Sequence, residues 1–360
     1  MRFTLYPIHW VADRHLDPEP FDHHLLPFEI IENVRIEAVA ERFRPGTFDL
    51  WRRGLGGDLV EVLERVRYAV VHRYNAQAVI EDDQVIGEAQ HSQASEELLH
   101  TLAALLRLIR PMRQHAMMMR GNIRDEDGSF DVTGFDAPNL YIHEVPEVQK
   151  LFKLRNQDCH DLRRYATDFL RAMRGEFWKF RMAVQFYELG HFESLPGQWK
   201  ARLSLWGSAV ESIYTTNSRN HQGTLVATER IKWFMGENTN IYAPGDLTEF
   251  EVDPHLTVGQ MTNAMYNVRN HLAHGDRIPD LYFSNRVRDG LNGSGMFMEV
   301  LFEAVSFIIR TSLVKILREG LLDHFANASA AEAYFDGHDL TNSKIRFRQH
   351  AAAQAAVARP

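Results

Sequence analysis

The sequence predicts a mainly α protein: a C-terminal helical bundle preceded by a smaller α+β N-terminal domain. Three observations carry that expectation. Beyond residue 150, apolar side chains recur at spacings of three and four over long stretches, the pattern of helices with one buried face. Before it, β-branched and aromatic runs such as FTLYPI (3–8) and RVRYAVVHRY (65–74) suit a strand or two. Between them, 121–146 is dense in Gly, Asp and Pro and reads as loop, turn or short hairpin at a domain boundary. The expected division is an α+β domain at 1–150 with a sensing or regulatory role, a helical domain at 151–325, and a partly disordered tail at 326–360.

In chain order, Ser95 reads as the N-cap of a helix that places Leu98, Leu102, Leu105, Leu106 and Ile109 on one face before Pro111. A long helix is expected from Asp158 to Leu189, with Leu162, Tyr165, Phe169, Met173, Phe177, Phe180 and Val184 inside. Shorter patterns follow at 198–214, carrying Leu203, Trp206, Val210 and Ile213, and at 224–235. Thr257 and Gly275 then frame TVGQMTNAMYNVRNHLAH as N-cap and C-terminal glycine. The stretch 296–320 is apolar on most sides and suits the centre of a bundle, whereas AAAQAAVARP at the end has little to bury.

Length and composition bound the class. The chain has 360 residues, 45% of them hydrophobic and 24% charged, which excludes a disordered or collagen-like chain. Its single cysteine, Cys159, excludes an intrachain disulfide and a multi-cysteine metal site and suits a reducing cytosol. The segment MRFTLYPIHWVADRH lacks the apolar core of a signal peptide, and no run approaches the ~18 apolar residues of a membrane span, so a cytoplasmic protein without a membrane partner is expected. The net charge of −8 argues against nucleic acid on average. Locally, however, 150–181 holds nine basic residues against four acidic ones, which is either a solvated helix face or a polyanion groove.

Among 18 histidines there is no HExxH, and His23 and His24 sit in a Pro-bounded polar stretch, so no metal is expected. No P-loop or nucleophile elbow occurs, and residues 55–57 and 290–295 are glycine loops without a strand-to-helix context; no cofactor is expected. The conspicuous segment is YNVRNHLAHG, 266–275, at the end of the framed helix. Asn270 and His274 lie one turn apart on one face, with Arg269 rotated by about 100° beside them. An imidazole can move protons near neutral pH, a guanidinium can hold a phosphate through two hydrogen bonds, and an amide can orient either. RNA supplies its own nucleophile in the 2′-hydroxyl, so these groups suffice for metal-free cleavage.

Spacing alone decides nothing, because Arg and His five apart also occur at Arg67/His72, Arg110/His115 and Arg155/His160. Arg155, Asn156 and His160 form a rival site that even shares the asparagine, though it lacks the apolar residues and terminal glycine. Glu211 and Tyr266 equally suit helix-packing polar groups, His271 reads as solvated, and His274 could be an ordinary C-terminal capping residue.

YNVRNHLAHG resembles the Arg-polar-x3-His motif of the HEPN superfamily, specifically its Apea-like group, with Tyr266 three residues before the Arg and Gly275 after the His. LWGSAVESIY (205–214), ATERIKWFMG (227–236) and EAVSFIIRTSL (303–313) are similar to that group's flanking helices, so the resemblance covers roughly 155–325. It implies an HEPN-like bundle that forms a homodimer or higher oligomer with two motifs in one cleft, often a metal-independent ribonuclease in toxin or antiphage systems. By position His274 is the acid/base, Arg269 the phosphate clamp, Asn270 the positioning polar group, with Glu211 and Tyr266 in support. RNA is the implied partner, with Arg155, Arg163, Arg164 and Arg171 as further phosphate contacts and a trigger or antitoxin protein as regulator. The competing expectation is a catalytically silent HEPN dimerisation or RNA-binding module.

Overall fold

The computed structural model describes residues 1–10, 26–43, 46–49, 66–75, 79–81, 84–86, 88–110, 118–136, 155–191, 199–215, 223–241, 256–278, 296–341, 344–346, 348 and 351. His23, His24, Lys150, Lys153 and the stretches 55–57, 290–295 and 352–360 lie outside them. The chain forms two compact units, Met1–Arg171 and Ala172–Pro360.

The N-terminal unit is built on β1 (Arg2–Trp10), β2 (Phe28–Ile31), β3 (Val34–Ala38), β4 (Val66–Tyr74), β7 (Met118–Ile123) and β8 (Phe130–Asp136). They form one antiparallel sheet in the order β2-β3-β4-β1-β7-β8; β5 (Val79–Glu81) and β6 (Gln84–Ile86) pair separately. This overturns the expectation of a mainly α chain, because a six-stranded sheet organises the N-terminal half. Alternation along the strands explains it. Phe3, Leu5, Ala69, Val71, Met119, Phe130 and Val132 form a single buried cluster, with the rings of Phe3 and Phe130 stacked at 4.4 Å. The region read as loop, turn or short hairpin holds most of the β7–β8 hairpin, whose register shifts between Arg120 and Gly121.

Helix α1 (Glu88–Ile109) starts well before Ser95. Ser95 is buried and its hydroxyl lies 2.8 Å from His72 Nδ1 of β4, while Arg107 donates to the Tyr6 hydroxyl of β1 at 3.0 Å. The expected long helix is two: α2 (Asn156–Arg174) and α3 (Trp178–His191), separated at Gly175, whose low helix propensity favours the break. Most of α2 belongs to the N-terminal unit, where Arg163 covers the Phe28 ring at 4.2 Å and donates to the Glu29 carbonyl.

The C-terminal unit continues with α4 (Trp199–Tyr214), α5 (Gly223–Met235), α6 (Val258–His274), α7 (Met296–Arg318) and α8 (Ala328–Gly337). Residues 328–337, read as tail, are a helix capped by Asn327 with Ala331 and Phe335 buried. A helix leaves its last carbonyls without intrahelical donors, and three helices here find those donors on neighbours. The Trp206 indole donates to Tyr187 O and Arg202 Nε to Gly190 O, both at 3.0 Å, closing α3. Arg230 Nη1 reaches Tyr214 O at 2.9 Å and Lys179 Nζ reaches Thr215 O at 2.7 Å, closing α4. Lys315 Nζ reaches Phe234 O at 2.6 Å near the end of α5. Arg230, 1% exposed, also binds Leu340 O and Glu332, so it fixes the last helix to the bundle. Among the described residues no helix is long and apolar enough to cross a membrane.

Two outcomes follow. A Cβ on Gly190 would sit 2.3 Å from the pinned Trp206 Nε1, so Gly190→Ala is expected to destabilise the protein by about 1–3 kcal/mol in urea unfolding. Burial, with Arg230 adding repulsion against the pull of Glu332, lowers Lys179 from 10.5 to about 8. Between those values the unfolded chain binds more protons, so stability from this group rises with pH. The stability of wild type relative to Lys179→Met should be flat below pH ~8 and climb by on the order of 3 kcal/mol towards pH ~10.5.

Candidate active site

Helix α6 carries the Arg/His motif, and local chemistry fixes both its ends. Thr257 and Gln260 form a reciprocal capping box. At the other end Gly275 adopts φ 71°, and the amides of Gly275 and Asp276 return to Leu272 O and His271 O in a Schellman closure. Met261, Met265, Tyr266 and Val268 are buried on one side, so Arg269 and Asn270 fall half-buried and His274 exposed.

Glu211 of α4 faces Arg269. Arg269 Nη2 lies 3.0 Å from both carboxylate oxygens, with about 30% of each side chain exposed. Its Nη1 lies 3.5 Å from Asn270 Oδ1. Gly207, one turn before Glu211, faces the Arg269 stem: a Cβ there would be 3.4 Å from Cγ. Burial pushes the Glu211 carboxyl above its ordinary value while the Arg269 guanidinium pulls it back. Tyr266, 2% exposed, lies in the field of both charges; burial first, then the Glu211 charge, raises its phenol, and Arg269 opposes them. Among the described residues its hydroxyl is buried without a hydrogen-bond partner. The expected Arg269, Asn270, Glu211 and Tyr266 therefore gather in one place. His274 stands on the Asn270 side of the helix, about 7.5 Å along the axis from Arg269, and makes no hydrogen bond to the cluster among the described residues. His271, read as solvated, is half-buried, and its Nδ1 is buried without a partner among the described residues.

The rival residues do not converge. Arg155, Asn156 and His160 are exposed around the start of α2; the Arg155 amide donates to Asp158, and the His160 ring stands edge-on to Phe28 at 6.1 Å. The basic run is not one face either. Arg163 packs on β2, Arg164 lies over its neighbour Tyr165, Arg171 pairs with Asp168, and Lys179 is buried. Buried Lys179, Arg202 and Arg230 escaped the sequence reading, since a cation in a helical pattern signals solvent unless its carbonyl partner is known.

Among the described residues no three His, Cys, Asp or Glu side chains gather as a metal site. No family model matches the chain, no curated protein matches it, and no solved structure matches it.

A buried hydroxyl without a partner costs free energy, so Tyr266→Phe is expected to leave stability unchanged or raise it by about 1 kcal/mol in urea unfolding. A loss above about 1 kcal/mol would reveal a hydrogen bond to that hydroxyl.

Proposed function

We propose that the chain is a metal-independent endoribonuclease of HEPN type, acting on RNA at a site composed from two copies of α6. The observation that supports this most is Arg269, half-exposed and held by Glu211 beside Asn270, on a helix whose last turn presents His274 to solvent. In this reading the 2′-oxygen forms a bond to phosphorus, the 5′-oxygen leaves, and a cyclic phosphate remains. One His274 accepts the 2′-proton and the copy's His274 supplies a proton to the leaving oxygen. Arg269 binds the phosphate oxygens through the donors that Glu211 leaves available, and Asn270 orients the guanidinium. Its setting is the cytoplasm, as a toxin or antiphage effector restrained through the N-terminal unit by a trigger or antitoxin.

A second reading, a catalytically silent dimerisation or RNA-binding module, is favoured by one contact: both Glu211 oxygens already hold Arg269 Nη2. Incubating the full-length protein with total RNA in EDTA separates them. Wild type and His160→Ala are expected to cut, while His274→Ala loses about 10²–10⁴-fold in rate with an unchanged melting curve and Arg269→Ala, which also leaves Glu211 unpaired, loses as much. Cleavage that disappears only in His160→Ala overturns the site, and RNA retained but uncut, with binding that falls steeply with salt, favours the second reading.

A further inference from the structure

The N-terminal unit carries a polar pocket of about 260 Å³ at one end of its sheet, lined by Met1, Asn33, Arg35, Arg73, Tyr74 and Asn75. Three central strands supply these residues: the start of β1, the β2–β3 turn with the start of β3, and the end of β4. The frame is set by backbone. Asn33 occupies the turn with φ 62°, its carbonyl accepts the Arg73 amide at 3.0 Å, and Arg2 is opposite Tyr74 in the β1–β4 register.

No described lining residue is acidic, and two are arginines. Glu37, which is buried, is shared by Arg73 at 2.7 Å and Arg42 at 3.2 Å through one oxygen. Among the described residues Arg35 pairs with Glu29, at 3.6 Å with both side chains over 40% exposed. In these pairs of described residues three guanidiniums meet two carboxylates. Among the described residues Arg73 Nε is buried without a hydrogen-bond partner, and burial, with repulsion from Arg42 and Arg35 set against Glu37, lowers the Arg73 guanidinium below its ordinary value. An anion here would relieve that repulsion.

We propose that this pocket binds the phosphate of a small phosphomonoester, with Arg35 and Arg73 holding its oxygens from adjacent strands and Asn33 and Asn75 donating beside them. A single guanidinium fork satisfies a carboxylate, whereas two forks from different strands suit the several oxygens of a phosphate. The volume lies just below the ~300–1,000 Å³ of drug-sized sites, so the ligand is small, and the Tyr74 ring borders the space its organic part would fill. This assignment does not depend on any activity of α6, and gives the N-terminal unit a ligand to sense.

Calorimetric titration of the full-length protein tests it with adenosine 5′-monophosphate, inorganic phosphate and adenosine. The two phosphate probes are expected to bind and adenosine not, with Arg35→Ala weakening the mononucleotide by about tenfold or more. The Arg35 side chain is 41% exposed, so its variant is expected to keep the fold; Arg73→Lys, which preserves the charge beside Glu37 but removes the fork, should weaken binding as well. The proposal is overturned by absence of binding to either phosphate probe, by equal binding of adenosine, or by undiminished affinity in Arg35→Ala. Binding of a 5′-phosphorylated oligonucleotide without the mononucleotide would equally reject a small-molecule site.

Discussion

The C-terminal unit depends on how its helices end. Each helix carries a partial negative charge and orphan carbonyls at its C-terminus, which must meet donors once buried. Here the donors come from other helices: Trp206 and Arg202 for α3, Arg230 and Lys179 for α4, Lys315 for α5. A cation is the favourable sign for that place, so one contact answers the hydrogen-bond requirement, the dipole and the packing angle together. The cost is a buried charge, visible in the lowered Lys179 and offset for Arg230 by Tyr214 O, Leu340 O, Glu332 and the Phe335 face.

Helix α6 ends otherwise. Its last carbonyls turn back to the amides of Gly275 and Asp276, so no neighbour's side chain is needed there. That leaves Asn270 and His271 half-exposed and His274 exposed on a rigid, internally closed turn, while Glu211 reaches Arg269 one turn deeper. A helix closed by its own backbone can present polar side chains that a helix closed by a partner would cover. The half-buried Arg269–Glu211 pair then holds a charge in a fixed direction without full desolvation.

Legibility in the sequence followed the range of the interaction. The limits of α6 were readable to the residue because Thr257, Gln260 and Gly275 act within one turn. The proximity of Glu211 to Arg269, expected only through the family resemblance, is present in the geometry, whereas the comparisons bring no family to support the resemblance itself. The sheet was under-read because β2 and β3 are four and five residues long and β7 slips register at Arg120–Gly121. Ser95 was mistaken for a cap because its partner, His72, lies on a strand. The basic run dissolved for a similar reason: Lys179 and Arg163 serve carbonyls remote in sequence, Thr215 and Glu29.

Those remote partners also bear on how quickly the bundle forms. Helical proteins ordinarily fold fast because their contacts are local. Here Arg230 meets Leu340 across 110 residues, Tyr187 meets Ser306 across 119, and Tyr214 meets Ser312 across 98. Chain closure over such distances must precede the contacts that reward it, which places this helical unit kinetically nearer to mixed α/β domains than to simple up-and-down bundles.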